Sequence, residues 1–409
     1  MTRAFVALAG LALAACGPRS AARCVEVKAA LDECAGTRLP DVDCSTMSDA
    51  DLDRLHDLAT GPACQLVAGA LPLDGDYLAA SCRLLDVGCV AAVTPAPPSR
   101  IARLPILLVN GIDTSPLFRY SSRIVAALAA AGQPVFLATL PAYQPPRKRA
   151  PLLWARVREV MAATGAPQVS LVCHSLGGLD CRYVASPAGL AADLGDDAPV
   201  RAIASVTTVG TAHRGTAVAD ALLGLLPGGD RGRAIADFAT LVGDWFGPAA
   251  IEGDADLAGA LGALGRAEAA AFADEIVDAD GVYYQSFAGV SLPRGEASAA
   301  LDAQIAAACA PDEDGAAILG PASPVRHDRM ALPLVPLAAL LVDAAGRAAP
   351  SDGLVEVAAA RWGRFRGCLM GDHMEQLGQR DLPDVNVRTG LDVARFYGNV
   401  AADLAGRGL

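Results

Sequence analysis

The sequence predicts an α/β protein: a mostly parallel sheet with helices on both faces and a helical insertion, preceded by a small helical, disulfide-rich domain. Three observations predict it. From residue 104 onward, short apolar runs alternate with segments of helical period, the pattern of strand–helix–strand units. Six of the eleven cysteines fall between positions 24 and 89. Between these regions lies "TPAPPSR" (94–100), a proline-rich stretch with the composition of a stiff linker. A chain of 409 residues has room for both parts.

In the amino-terminal part, "STMSDADLDRL" (45–55) carries N-cap candidates followed by apolar residues at helical intervals, and 25–31 and 77–85 show a similar period. Residues 16–93 therefore read as helices stapled by three disulfides whose pairing the sequence leaves open. In the larger part, "LPILLVNG" (104–111) is a buried strand ending in a glycine turn. "SSRIVAALAAAG" (121–132) is a helix with a serine start and a glycine stop. "PVFLAT" (134–139) is a strand, "LLWARVREVMAATG" (152–165) a helix, and "IASVTTVG" (203–210) another strand. Residues 217–275 carry helical periods and no strand signal, with aromatic and aliphatic residues clustered between acids. An insertion of that length is usually functional, so it reads either as a mobile lid or as a fixed helical cap.

Charge and termini narrow the function. A net charge of -12 argues against nucleic acid as a partner, because phosphate binding needs a basic face. Arg3 followed by the apolar stretch 4–15 is too short to span a bilayer and reads as an export signal. It ends in "LAAC", similar to a bacterial lipobox, which would make Cys16 the lipidated residue of a membrane-anchored lipoprotein; the alternative is an ordinary cleavage site with an incidental cysteine. Export permits disulfides. No glycine-rich phosphate loop and no Cys/His cluster at zinc spacing is present.

The stretch carrying chemistry is "QVSLVCHSLGGLDCRYVAS" (168–186). An apolar run ends in His-Ser-Leu-Gly-Gly and resumes at helical spacing, which places Ser175 at a turn between strand and helix, at the carboxyl edge of the sheet. Such a serine is a helix N-cap or a nucleophile. A nucleophile elbow needs small residues, because strand and helix backbones approach closely. Gly177 and Gly178 meet the requirement, while Cys173 stands where glycine is usual. A serine nucleophile also needs a base and an orienting carboxylate, which in α/β-hydrolases follow in the order Ser, Asp, His. "PSDGLV" and "MGDHMEQLG" supply Asp352 and His373 in that order. His174 adjoins the serine and should point away, and His327 precedes Asp352 and so breaks the order. The oxyanion donors expected are the backbone N–H groups of Leu176, after the nucleophile, and Ile112, after the first strand.

Taken together, "LPILLVNGI", "APQVSLVCHSLGGLDCRYVA", "VTTVGTAHRGTAVAD", "GVYYQSFAG", "SDGLV" and "DHMEQLGQ" resemble the secreted bacterial triacylglycerol lipases of the α/β-hydrolase fold, from about residue 104 to the C-terminus. The resemblance implies the triad Ser175, Asp352 and His373, with His213 as a structural residue of a loop beside the site. It implies a disulfide between Cys309 and Cys368. Cys173 and Cys181, one on the strand and one on the helix, lie on opposite sides of the elbow and are expected to be buried free thiols. The resemblance also implies a calcium ion held by Asp328 and Glu375, the latter longer than the family's aspartate; the chemistry itself needs no cofactor. Asn110-Gly111 replaces the family's His-Gly, and the 24–89 domain has no family counterpart.

The expected activity is hydrolysis of lipid esters, acylglycerols first, at an interface that the Cys16 anchor keeps close. The partners are the lipid ester and the membrane, with the involvement of a foldase open. An esterase, phospholipase or polyester depolymerase would use the same triad, and a non-catalytic surface lipoprotein would use the fold without it.

Overall fold

A computed structural model describes residues 94–114, 118–225, 255–313, 315–320, 327–331, 333–343, 345–379, 386 and 388–409, with a few isolated residues before 61. The chain divides into two compact units, Met1–Ala91 and Ala92–Leu409. Cys16, the expected signal segment, almost all of the Cys-rich domain and residues 226–254 of the insertion lie outside the described residues. Among the described residues no helix is long and apolar enough to cross a membrane.

Among the described residues the larger unit is built on six strands: β1 (Ile106–Val109), β2 (Val135–Ala138), β3 (Val169–His174), β4 (Ile203–Val209), β5 (Tyr283–Gly289) and β6 (Arg364–Leu369). All pair in parallel in the order β2-β1-β3-β4-β5-β6. Among the described residues the helices of eight residues or more are α1 (Ser122–Ala130), α2 (Pro146–Thr164), α3 (Gly177–Ala185), α4 (Ala217–Leu225), α5 (Leu257–Leu264), α6 (Arg266–Glu275), α7 (Ala299–Ala308) and α8 (Val393–Gly406). This is the α/β-hydrolase fold.

Strand alternation sorts the side chains into two cores. Ile106, Leu108 and Val172 pack on one face with Ile124 and Leu128 of α1 and Phe396 and Val400 of α8. Leu107, Val109, Val169 and Leu171 pack on the other with Leu153, Val157 and Val160 of α2 and Tyr183 and Val184 of α3. Both faces of the central strands are buried, so these strands read as continuous apolar runs.

Local signals explain most boundaries. Ser121 caps α1 by accepting from Arg123 N, and Gly165 closes α2 in the left-handed conformation at φ 70°. α2 begins at Pro146, earlier than the start expected at 152. Proline in the first turn lacks only an N–H that would be unpaired there, and the buried Arg149 and Ala150 already belong to the packed face. Of the proline-rich stretch, Thr94 is buried, and its hydroxyl and carbonyl accept from Asp392 N and Arg395 at the start of α8. β6 and α8 were not anticipated.

Two disulfides tie the unit. Cys309, capping α7, is bonded to Cys368 in β6, as the resemblance implied. Cys173 and Cys181 are not free thiols: they are bonded to each other, with Cα atoms 6.7 Å apart. One cysteine lies on the strand and the other on the helix, on opposite sides of the turn in the sequence. The elbow folds α3 back along β3, bringing its second turn within bonding distance of the strand's end. The Cys309–Cys368 bridge closes a loop of 59 residues. Replacing both cysteines by alanine should lower stability by about 2–4 kcal/mol, read from urea unfolding as a lower midpoint, with a steeper slope because the freed unfolded chain exposes more surface.

Candidate active site

The order of the strands reverses at β1. The chain leaves it for β2 on one side and returns to β3 on the other, and a parallel sheet opens a crevice at the carboxyl ends where that happens. The loops after β1 and β3 therefore face each other: Asn110, Gly111 and Ile112 from one, Ser175 and Leu176 from the other. Ser175 has φ 53°, one of two non-glycine residues with positive φ among those described. Its N–H donates to Val209 O at 3.0 Å and its carbonyl accepts from Thr211 Oγ1 at 2.8 Å. A Cβ on Gly111 would lie 2.9 Å from the Cβ of Ser175, and one on Gly177 would overlap the Asn110 carbonyl. The glycines around the turn are thus required by contact between the loops themselves.

The loop after β1 is held by Asn110, which stands in place of the family's histidine, and by Arg149 and Tyr143, which sequence reading did not single out. Asn110 Oδ1 accepts from Leu140 N at 2.7 Å, and its amide donates to Gly111 O at 3.1 Å, joining the loops after β1 and β2. Arg149 of α2, fully buried, donates to Gly111 O at 2.8 Å and Asn110 O at 3.0 Å. Its Nε lies 3.0 Å from Asp180 Oδ2 of α3, an ion pair at contact distance whose angle does not complete a hydrogen bond. Burial pushes the Asp180 carboxyl up to about 7 against the pull of the Arg149 charge. Tyr143, at φ 52°, donates its hydroxyl to Asp113 Oδ2 and its N–H to Ile112 O.

Opposite this loop lie the two residues chosen from chain order. Asp352, between β5 and β6, and His373, after β6, meet with Nδ1 2.7 Å from Oδ2. A second bond runs from His373 N to Asp352 O. The buried carboxylate is fully engaged: Oδ1 accepts from Leu354 N and Val355 N at 3.0 and 2.8 Å, and Oδ2 also accepts from Gln376 Nε2 at 2.8 Å. Ser175 and His373 line one apolar cavity of about 60 Å3 with Ile112, Phe118, Leu222, Leu261, Leu264 and Leu354. Leu222 comes from α4 and Leu261 and Leu264 from α5, the described parts of the insertion.

The histidines at 174, 213 and 327 do not line this cavity. His174 packs against His373, ring centroids 4.5 Å apart, with its Nε2 3.1 Å from His373 O. His213 stacks on Trp362 and bonds Thr208 Oγ1 through Nε2, and burial holds its pKa well below the ordinary value. His327 pairs with Asp302.

Asp328 and Glu375 do come together, but around an amide. Asn386 Nδ2 donates to Asp328 Oδ1 at 2.8 Å and also to Glu375 Oε1. The amide's orientation is set by its oxygen, which accepts from Arg388 N and Thr389 N. Ser291 Oγ donates to the other Asp328 oxygen. As arranged, the two acids hold an N–H donor where a cation would need only oxygens, so they do not fit the expected calcium. Among the described residues no group of three or more His, Cys, Asp or Glu side chains could hold a metal ion.

No family model matches the chain. Among curated proteins it is 37% identical to a triacylglycerol lipase of Vibrio cholerae over 137 residues, 33% of this chain and 40% of the relative. It is 35% identical over 169 residues to a triacylglycerol lipase of Burkholderia plantarii and 37% identical over 151 residues to one of Pseudarthrobacter phenanthrenivorans. These matches cover 39% and 34% of this chain, and 44% of each relative. The chain thus spans about two fifths of the length of the curated relatives it matches. Among solved structures, Staphylococcus hyicus lipase superposes with a TM-score of 0.49 at 14% identity, over 76% of this chain and 98% of that one.

Proposed function

We propose, with bacterial triacylglycerol lipases among this chain's homologues as the premise, that it is a serine carboxylic ester hydrolase acting on lipid esters. The observation that carries the reading is His373, bonded to the buried Asp352 and lining one cavity with a serine held at positive φ. Because Nδ1 is committed to Asp352, Nε2 is the nitrogen left to take the Ser175 proton. Ser175 Oγ then attacks the ester carbonyl. The N–H groups of Ile112 and Leu176 meet the oxyanion, and His373 hands its proton to the leaving alcohol. Water, deprotonated by His373, attacks the acyl-enzyme and restores the serine. Asp352 keeps the ring oriented and offsets the charge His373 carries between these steps.

The apolar lining of the cavity supports an acyl chain as the part of the substrate lying beside Ser175. Its small volume favours a second reading within the same chemistry, an esterase of short acyl groups. Hydrolysis of p-nitrophenyl esters of increasing chain length, alongside emulsified triglycerides, separates the two.

Ser175→Ala and His373→Ala should each remove nearly all hydrolysis while leaving the melting temperature close to the parent's, and Asp352→Asn should lose most of it. A fluorophosphonate probe should label the parent and not Ser175→Ala. Near-parental activity in His373→Ala would overturn the assignment.

Export and attachment through Cys16 belong to the same proposal, motivated by the "LAAC" signal. Cys16→Ser should move the protein from the membrane to the soluble fraction, and unchanged fractionation would refute the anchor.

The insertion is proposed as a cover that opens at a lipid surface. Its described helices already contribute Val218, Leu222, Leu257 and Leu261 to a cluster with Tyr143 and Leu341. Exposing such a face costs roughly 25 cal/mol per Å2, which an interface would offset. Rate plotted against ester concentration should step upward at the solubility limit; a smooth rise through that limit identifies a fixed cap instead.

A further inference from the structure

Resting on the ester-hydrolase reading above, we infer that Asp180, acting through Arg149, is a positioning residue for the oxyanion-binding Ile112 N–H. The pair couples the helix after the nucleophile to the loop on the opposite side of the site. The inference starts from where the Arg149 guanidinium is spent. It takes the carbonyls of two consecutive residues, Asn110 and Gly111, on one side, and lies against the Asp180 carboxylate on the other. Neither charged side chain reaches solvent.

The peptide bond makes this arrangement matter. In a trans peptide the carbonyl of one residue and the N–H of the next point in opposite directions. With Gly111 O fixed on Arg149, the Ile112 N–H is directed away from the guanidinium, and Ile112 lines the cavity that contains Ser175. Rotating the Gly111–Ile112 peptide would turn a carbonyl toward that cavity, where it would repel a developing oxyanion. Gly111 has no side chain to resist such a rotation, so the restraint must come from the partner of its carbonyl. A planar fork holds both carbonyls in one fixed geometry, which a lysine ammonium, a point charge on a flexible stem, does not impose.

Asp180 in turn is held by its helix. Its neighbour Cys181 is bonded to Cys173, so α3 is tied to the strand that leads into Ser175. Leu176, the other proposed donor, immediately precedes this helix. Strand, elbow, helix and facing loop therefore form one braced unit, with Arg149 and Asp180 as its cross-piece. Neither residue touches the reacting atoms.

The test uses the full-length protein. Active sites are counted by fluorophosphonate labelling, and kcat, KM and the affinity of a boronic acid are measured for Asp180→Asn, Arg149→Met and Arg149→Lys. Losing one oxyanion donor lowers kcat by about 100- to 1,000-fold, so loosening it in Arg149→Met should lower kcat per labelled site by about 100-fold. KM should stay within about threefold, and boronate affinity should fall in parallel with kcat. Arg149→Lys should not restore the rate. Asp180→Asn keeps the shape of the side chain and should give a loss of about tenfold. Should Arg149→Met not fold, Asp180→Asn decides by the same comparison. A kcat per labelled site within threefold of the parent, even at a lower melting temperature, makes the pair merely structural and overturns the inference. Loss of labelling in Ser175→Ala reports separately on the hydrolase reading.

Discussion

Ser175 holds φ 53° at the end of a fully buried strand, a conformation that costs an L-residue roughly 1–2 kcal/mol. Much of the surrounding structure follows from sustaining it. The turn brings α3 back along β3, so the residues at the contact must be small: Gly177 passes the Asn110 carbonyl, Gly178 passes Thr211, and Gly111 passes Ser175 itself. The bond from Ser175 N to Val209 O carries the β3–β4 ladder up to the turn itself. The Cys173–Cys181 disulfide closes the same reversal covalently, and it stands where a glycine would otherwise have eased it.

Burial of charge is the second constraint. Asp352, Arg149 and Asp180 are all withdrawn from water, and a buried ion has a demand for partners that offset its lost hydration. Asp352 meets it with two backbone N–H groups, the Gln376 amide and His373. Arg149 meets it with two carbonyls and a carboxylate. Each network also fixes a loop. One sets the ring of His373 and the other sets the backbone of the segment after β1, so the interactions that make burial possible are also those that orient the site.

The strands and helices were legible where a local period carries them. "LPILLVNG", "PVFLAT" and "IASVTTVG" are the strands β1, β2 and β4, and Ser121 and Gly165 mark helix ends because their chemistry acts within a few residues. Chain order and the resemblance together pointed to Asp352 and His373, and the two are bonded. β6 was missed because its arginines disguise the alternation. Arg366 is buried, its charge taken up by Gln285 and Asp403 from other elements, so a polar residue in the pattern occupies a core position.

What the sequence by itself determined, then, is whatever depends on backbone period, turn chemistry and residue order: a parallel α/β sheet, a serine at its carboxyl edge, and an acid and a histidine following in that order. Tertiary structure alone decided the pairings across distance. Cys173 meets Cys181 only because α3 folds back along β3. Arg149 meets Asp180 and two carbonyls only because α2 and α3 pack on the same face. Asp328 and Glu375 share the amide of Asn386, a competitor for those carboxylates that no spacing rule reveals. Such contacts join residues from 8 to 58 positions apart, and their geometry exists only once the helices are packed on the sheet.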